Sequence, residues 1–194
     1  MLAAVHGQPW NASQLGQSLG VSYHTVNRHL DFLEGAFLCR RLPLWHGNIG
    51  KRLVKKPKVY WRDSGLLHAL LGIAAMDDLL VRPWVGASWE GFVIEQIIMA
   101  LSHRDVPYTP FFLRTSDQRE IDLVIEFGRR RWAFEIKLSS QPTPRDMEQL
   151  VATASLIDAE KCFLVTQTPD VIDGGAKVAC DLAWLLAHLE TTPL

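Results

Sequence analysis

The chain of 194 residues can hold one large domain or two small ones, and its composition, 48% hydrophobic and 21% charged, is that of a soluble globular protein. No apolar run is long enough to cross a bilayer, and the N-terminus lacks the basic flank of a signal peptide, so a cytoplasmic protein without membrane contact is expected. Three cysteines without a C-x-x-C pair argue against a disulfide scaffold or a zinc site.

The charges are unevenly distributed along the chain, although the net charge is only −1. Residues 1–62 hold nine lysines and arginines against two acids, and the remainder holds eleven against nineteen. A basic first part and an acidic second part predict two modules with different roles. We place the boundary near residue 80, which gives domains over residues 1–80 and 81–194.

Residues 11–35 have the pattern of a helix-turn-helix. Asn11 or Ser13 can cap a short first helix, Gly20 can end it in a left-handed conformation, and Ser22 can cap a second helix. In a protein that reads DNA, the exposed face of the second helix enters the major groove. That face would carry Tyr23, His24, Asn27 and Arg28.

Two strands joined by a basic turn are predicted next, over Ala36–Trp45 and over a segment that includes Val59–Trp61. The turn and the residues after it carry cations that could grip phosphates: Lys51, Arg52, Lys55 and Lys56. A helix-turn-helix followed by such a hairpin is a winged helix. An equally open alternative is that this module mediates protein contacts or supports a neighbouring domain.

The rest of the chain begins with a helix over Gly65–Leu71 and a connection over residues 73–85. A helix, three strands, a helix, a strand and a final helix are then predicted. Their positions are 86–102, 111–115, a two-stranded hairpin in 119–138, 145–157, 161–166 and 181–190, with a loop at 171–177 and a short strand at 178–179.

The hairpin at residues 119–138 is the most informative stretch for chemistry. Side chains two apart in a strand share a face, and Gly128 supplies the turn, so Asp122, Glu135 and Lys137 are expected to meet on one face. Two carboxylates and an ammonium can hold a divalent metal and stabilise a phosphoryl transition state. Under the structural alternative, the lysine pairs with the acids across the strands and nothing binds.

This element order resembles the PD-(D/E)XK nuclease-like superfamily. Asp122 stands at the metal-binding Asp of the second strand, and Glu135-Ile136-Lys137 stands at the (D/E)-X-K of the third. Glu90 stands at the acid that some branches place on the first helix, although it could be an ordinary acid on the edge of a helix. The resemblance implies a Mg²⁺ or Mn²⁺ cofactor on Asp122, Glu135 and Glu90, with Lys137 completing the catalytic set. Ile121 replaces the Pro of the motif.

Nearly the whole chain is similar to the C-terminal half of predicted prokaryotic P-loop ATPases of the AAA type. The similarity lies in residues 18–34, 57–66 and 89–96 and in the hairpin. It implies an α/β (α+β) fold, with an N-terminal winged helix-turn-helix followed by a restriction-endonuclease-like αβββαβ domain. No Walker A loop is present, because Trp45 occupies the first glycine position and Arg52 follows the lysine. The chain is therefore expected to be no ATPase itself, and to be a fragment or a tail that acts alone.

Three functional hypotheses follow. The chain could be a Mg²⁺-dependent enzyme that acts on DNA, with the winged helix placing the substrate. It could instead be a catalytically silent module that binds nucleic acid or a P-loop ATPase, or a regulatory tail packed on such a domain. Nucleic acid, an ATPase domain and a second copy of the chain are the expected partners.

Overall fold

The computed structural model of the chain is a mixed α/β structure whose contacts divide it into two compact units. The structure describes residues 1–46 and 56–192, of which unit 1 takes 1–43 and 56–92, and unit 2 takes 44–46 and 93–192. Within these ranges, no helix combines the length and the apolar content needed to cross a membrane.

Unit 1 is mainly helical, with one pair of antiparallel strands. Its elements are a 3-10 turn at Leu2–Val5, α1 at Ala12–Leu19, α2 at Tyr23–Gly35, β1 at Cys39–Leu42, β2 at Lys58–Trp61, α3 at Ser64–Leu70, α4 at Met76–Leu80 and the first half of α5 at Val85–Ser102. Its core joins side chains from α2, both strands and α3, namely Leu30, Cys39, Val59, Trp61 and Leu67. The α2 helix is thereby fixed against the strand pair.

The helix caps of unit 1 lie where the sequence predicts them. The Asn11 side chain accepts a hydrogen bond from the Gln14 backbone N–H at 3.3 Å, and the Ser22 side chain accepts one from the Thr25 N–H at 3.1 Å. Gly20 ends α1 with φ +68°, in the left-handed region that glycine adopts without strain. These local signals confirm two predicted helices joined by a sharp turn.

Two sequence predictions for unit 1 are corrected by the structure. The strand predicted over Ala36–Trp45 is only the four residues of β1, since Phe37 has φ +59° and breaks the extended run. The connection predicted over residues 73–85 contains α4, whose first turn carries Asp77 and Asp78. Acidic side chains there interact favourably with the N-terminal end of the helix dipole.

Unit 2 is built on a six-stranded mixed sheet in the order β3-β4-β5-β6-β8-β7. Its elements are the second half of α5, β3 at Thr109–Arg114, β4 at Glu120–Phe127, β5 at Arg130–Ile136, α6 at Pro144–Ala154, a 3-10 turn at Ser155–Ile157, β6 at Lys161–Thr166, β7 at Ile172–Asp173, β8 at Lys177–Asp181 and α7 at Leu182–Thr191. The first three strands are antiparallel, β5, β6 and β8 are parallel, and β7 is antiparallel to β8. The loop predicted over 171–177 thus contains a strand, and the short strand predicted at 178–179 has five residues.

The β4–β5 hairpin lies in the interior of this sheet. Gly128 forms its turn with φ +63°, as the sequence predicts. The predicted apolar side chains of β4 are buried, and Val124 on the opposite side is buried as well. Leu150 and Ala154 of α6 join Val124 and Ala133 in one core cluster, so α6 covers this face of the hairpin. Glu120, Glu135 and Lys137 lie at the end of the strands near the start of α6.

Candidate functional site

Asp122 and Glu135 lie next to each other at the open end of the β4–β5 ladder. The last ladder pair is Leu123 with Phe134, and the same register sets Asp122 opposite Glu135 one residue further on. Both side chains are half-buried. The hairpin therefore brings the backbones of the two predicted metal-binding acids side by side.

The pairing of β4 with its other neighbour, β3, is irregular at this point. The pairing of β3 with β4 shifts by one residue, so that Phe112 lies opposite both Asp122 and Leu123. Asp122 Oδ2 accepts a hydrogen bond from the Ile136 backbone N–H at 2.9 Å, where a strand carbonyl would otherwise be the acceptor. The Asp122 carboxylate is therefore tied to the strand that carries Glu135.

Lys137 follows β5 directly and forms an ion pair with helix α6. Its Nζ lies 2.5 Å from Asp146 Oδ1, and both side chains are partly buried. The Lys137 ammonium, followed by hydrogen bonds from Thr143, lowers the pKa of the Asp146 carboxyl to about 2. Asp146 is thus ionised at any ordinary pH and keeps a charged partner beside the hairpin.

A concavity of about 270 Å³ opens between the hairpin and the first turns of α6. Its polar lining consists of Arg119, Glu120, Glu135, Asp146 and Gln149, and Leu150 and Thr153 complete it. Of the three predicted hairpin residues, only Glu135 is among the lining residues in this described part of unit 2. The concavity is acidic, with one arginine at its edge.

Glu90, the third predicted metal ligand, lies in unit 1. Its Oε1 accepts hydrogen bonds from Lys58 Nζ at 2.9 Å and from the Tyr60 hydroxyl at 2.5 Å. Lys58 is 5% exposed, so this is a largely buried ion pair. Glu90 therefore has a structural partner within unit 1. Across residues 1–46 and 56–192, no group of three or more His, Cys, Asp or Glu side chains is arranged to hold a metal ion.

The four residues predicted to read DNA lie on α2. Tyr23 and His24 are exposed and their rings are 3.9 Å apart, and Arg28 is exposed too. Asn27 is half-buried, and its Oδ1 accepts a hydrogen bond from the Trp10 indole N–H at 2.8 Å. The exposed surface of the first half of α2 thus combines aromatic rings with one cation, whereas Asn27 links α2 to the N-terminal segment.

The predicted phosphate-gripping cations are only partly within the described structure. Lys56 is exposed just before β2. Lys51, Arg52 and Lys55 lie outside the described residues.

Sequence reasoning missed two residues that matter at these positions. Asp146 was not identified as a neighbour of the hairpin, although Thr143 and Asp146 have the spacing of a capping box and mark the start of α6. No local signal in the sequence relates Lys58 to Glu90, which lies 32 residues away. A capping box locates a helix start but says nothing about the strand beside it.

Comparison with known proteins places the chain among families that have no described function. A model of a domain of unknown function (DUF8612) matches residues 1–77. The uncharacterized proteins Mb2031c of Mycobacterium bovis and Rv2008c of Mycobacterium tuberculosis are each 45% identical over 143 residues, which cover 74% of this chain and 32% of the relative. The chain thus spans about a third of the length of these curated relatives.

No solved structure matches the chain significantly. A second family model, described as a domain of unknown function (DUF4143), matches residues 85–185 and therefore includes all of α5, the six-stranded sheet, α6 and the start of α7. Because this match covers just over half of the chain, the protein belongs to the DUF4143 family.

Proposed function

We propose that unit 2 is a nuclease-like domain, a divalent-cation-dependent phosphodiesterase that acts on nucleic acid. The observation that carries the proposal is the acidic concavity between the hairpin and α6, where Glu135 lies beside a second hairpin acid, Glu120. Lys137 and its partner Asp146 stand at the same end of the hairpin. Carboxylates for a cation, together with an ammonium for phosphate charge, are the groups that phosphodiester hydrolysis needs.

The residues present fit a hard cation with few protein ligands. Mg²⁺ commonly takes one or two protein carboxylates and keeps several waters, so the absence of a three-acid group among the described residues is compatible with it. Glu135 and Asp122 would hold the cation, and Glu120 would add negative charge near it. When bound, the cation would activate a water and neutralise phosphate charge. Lys137 would then stabilise the charge that develops on the phosphoryl oxygens.

Unit 1 would bring the nucleic acid to the protein as a winged helix-turn-helix. Its support is the exposed surface of α2, where Tyr23, His24 and Arg28 combine stacking rings with a cation. The strand pair after α2 and the basic residues between the strands suit phosphate contacts. Asn27 would contribute through its bond to Trp10 and not by reading bases.

A second candidate is a catalytically silent module that binds nucleic acid or a partner. Two contacts favour it: Asp122 already accepts the Ile136 amide, and Lys137 is already paired with Asp146. Since the matched residues cover only 32% of each mycobacterial relative, a P-loop ATPase region in the longer protein is the proposed partner.

Calorimetric titration with Mg²⁺ and Mn²⁺ separates the two candidates. For the enzyme, the wild type should bind a cation and cut DNA or RNA in its presence. Glu135→Gln, which keeps the shape of the side chain but removes its charge, should weaken cation binding at least about 10-fold, because even residues behind the metal ligands contribute that much.

Glu160→Gln is the matched control, because Glu160 pairs with Arg130 at 2.7 Å outside the concavity. It should bind the cation and cut as the wild type does. A wild type that neither binds a cation nor cuts nucleic acid would leave the silent module as the function. Equal cleavage by Glu135→Gln and the wild type would show that Glu135 does not hold the cation and would overturn the proposed site.

A further inference from the structure

The two carboxylate oxygens of Asp146 have different partners. Oδ1 accepts the hydrogen bond from the Lys137 ammonium at 2.5 Å. Oδ2 accepts hydrogen bonds from the Thr143 backbone N–H at 2.8 Å and from the Thr143 hydroxyl at 2.6 Å. One side chain therefore joins the residue after β5 to the first turn of α6.

The first turn of α6, which carries Asp146, is held rigidly in place. Thr143 and Asp146 form a reciprocal capping box, and Pro144 occupies the first turn. Further along the same helix, Leu150 and Ala154 are buried in the core of unit 2 against the hairpin. A side chain held by both a cap and a packed helix has little rotamer freedom left, which is what a precise functional site requires of the groups behind it.

Because the lysine side chain is long and flexible, a fixed partner strongly restricts the position of its ammonium group. A lysine has four rotatable bonds and a compact charge, so an unrestrained ammonium samples many positions. Asp146 lines the acidic concavity together with Glu135, and Lys137 is two residues beyond Glu135. A restrained ammonium would remain at the rim of the space that a phosphate would enter.

We propose that Asp146 is a positioning residue that holds the Lys137 ammonium at the rim of the Glu135 concavity. The ammonium is then already oriented when a phosphate enters. This inference rests on the proposed function for its catalytic part. Asp146 acts through Lys137 and touches neither the substrate nor the cation. Two other roles compete for the same carboxylate. It could inhibit the enzyme by keeping the Lys137 ammonium away from phosphate, or it could bind the cation directly.

The first test follows the ammonium group itself by NMR and needs no activity. In ¹⁵N-labelled protein, Lys137 should give a side-chain NH₃⁺ signal that is protected from exchange, assigned by its loss in Lys137→Met. Asp146→Asn should abolish this signal, because the charge partner is removed while the side-chain shape is kept. An unchanged signal in Asp146→Asn would overturn the proposal.

Asp181→Ala provides the control for simple loss of a helix cap. The Asp181 side chain caps α7 by accepting the Trp184 backbone N–H at 2.7 Å, at the end of β8, which β6 separates from β5 in the sheet. This variant should lower the thermal stability of the protein and leave the Lys137 signal intact. Loss of the signal in Asp181→Ala as well would assign the effect to general destabilisation and overturn the proposal.

The second test is a double-mutant cycle on cleavage rates in Mg²⁺. Asp146→Asn should lower kcat on the order of 10-fold, a size typical of groups behind a reacting residue, with KM little changed. In the Lys137→Met background, Asp146→Asn should not lower kcat further, because the ammonium through which Asp146 acts has been removed. Cation affinity should be unaffected.

Other outcomes of the cycle contradict the inference in distinct ways. Additive losses, or weaker cation binding by Asp146→Asn in both backgrounds, would make Asp146 a cation ligand. Faster cleavage by Asp146→Asn than by the wild type would show that the ion pair inhibits the enzyme. No cleavage by the wild type would refute the proposed function, and the NMR comparison would still decide whether Asp146 holds Lys137.

Discussion

His6 is a buried histidine in unit 1 whose ring nitrogens are both used by the backbone. Nδ1 accepts a hydrogen bond from the Trp61 N–H at 3.0 Å, so Nε2 carries the proton and donates to the Ala87 carbonyl at 3.2 Å. A Cβ added at Gly91 would lie 2.5 Å from Nε2, so the ring occupies the space that this glycine leaves open. The neutral tautomer is therefore the form that fits.

The pKa of His6 makes the stability of unit 1 depend on pH. Burial, the largest cause, lowers this pKa from 6.5 to about 4. Between these values the unfolded chain binds the proton and the folded one does not, so stability is full above about pH 6.5 and falls as the pH drops toward 4. The loss reaches roughly 3 kcal/mol at pH 4.

Urea unfolding of the wild type and of His6→Gln at neutral pH and at about pH 4 checks this prediction. The stability advantage of the wild type should shrink by roughly 3 kcal/mol across that range. His24→Gln is the control, since His24 is exposed and should show no such trend. An advantage of His6 that stays constant with pH would contradict the assignment.

At the scale of elements, the tight approach of α1 to the start of α2 depends on Gly16. A Cβ at this position would lie 2.7 Å from the Val21 carbonyl oxygen, which is backbone and cannot rotate away. The Val21 N–H also donates to the Gly16 carbonyl at 3.0 Å. The requirement for glycine at position 16 therefore comes from the neighbouring turn and not from the conformation of α1 itself.

Gly16→Ala should destabilise unit 1 by about 1–3 kcal/mol, although alanine normally favours a helix by up to about 1 kcal/mol over glycine. The opposite sign is expected for Gly35→Ala at the end of α2, because a Cβ there meets nothing within 4 Å. Chemical denaturation of the two variants side by side checks the pair. A stabilised Gly16→Ala protein would show that the turn can shift at little cost.

At the scale of the whole molecule, the basic part of the chain and the acidic concavity belong to different units. Nine of the twenty lysines and arginines fall in residues 1–62, whereas the acids that line the concavity come from the hairpin and α6. A polyanion would meet an attractive field at the first part and a repulsive one at the second, unless a cation neutralised the carboxylates. Under the proposed function, nucleic-acid affinity therefore comes from unit 1 and chemistry from unit 2.

This division predicts that nucleic-acid binding weakens steeply with salt and that Arg28 on α2 contributes to the slope. Arg28→Ala should reduce the slope of log affinity against log salt by about one, as for the loss of a single phosphate contact. Arg82→Ala removes an exposed arginine of unit 1 that lies outside α2 and should leave the slope unchanged. Fluorescence anisotropy with a labelled duplex measures both, and equal slopes for all three proteins would remove α2 from the interface.

The sequence by itself determined what depends on neighbours along the chain. The caps at Asn11 and Ser22 and the turn at Gly128 lie as expected, because a cap or a turn is a contact between residues a few positions apart. The buried faces of the β4–β5 hairpin also followed from alternation. Because β4 and β5 are joined by a tight turn, the proximity of Asp122 and Glu135 was predictable as well.

Only the tertiary structure decided which partners the polar side chains take. Asp146 reaches Lys137 because α6 packs back over the hairpin, and Lys58 reaches Glu90 across 32 residues of chain. The shift in the pairing of β4 with β3 and the hydrogen bond from the Ile136 amide to Asp122 are likewise contacts between separate strands. Such contacts depend on how separate elements pack, and a buried charge takes whichever partner that packing brings within reach.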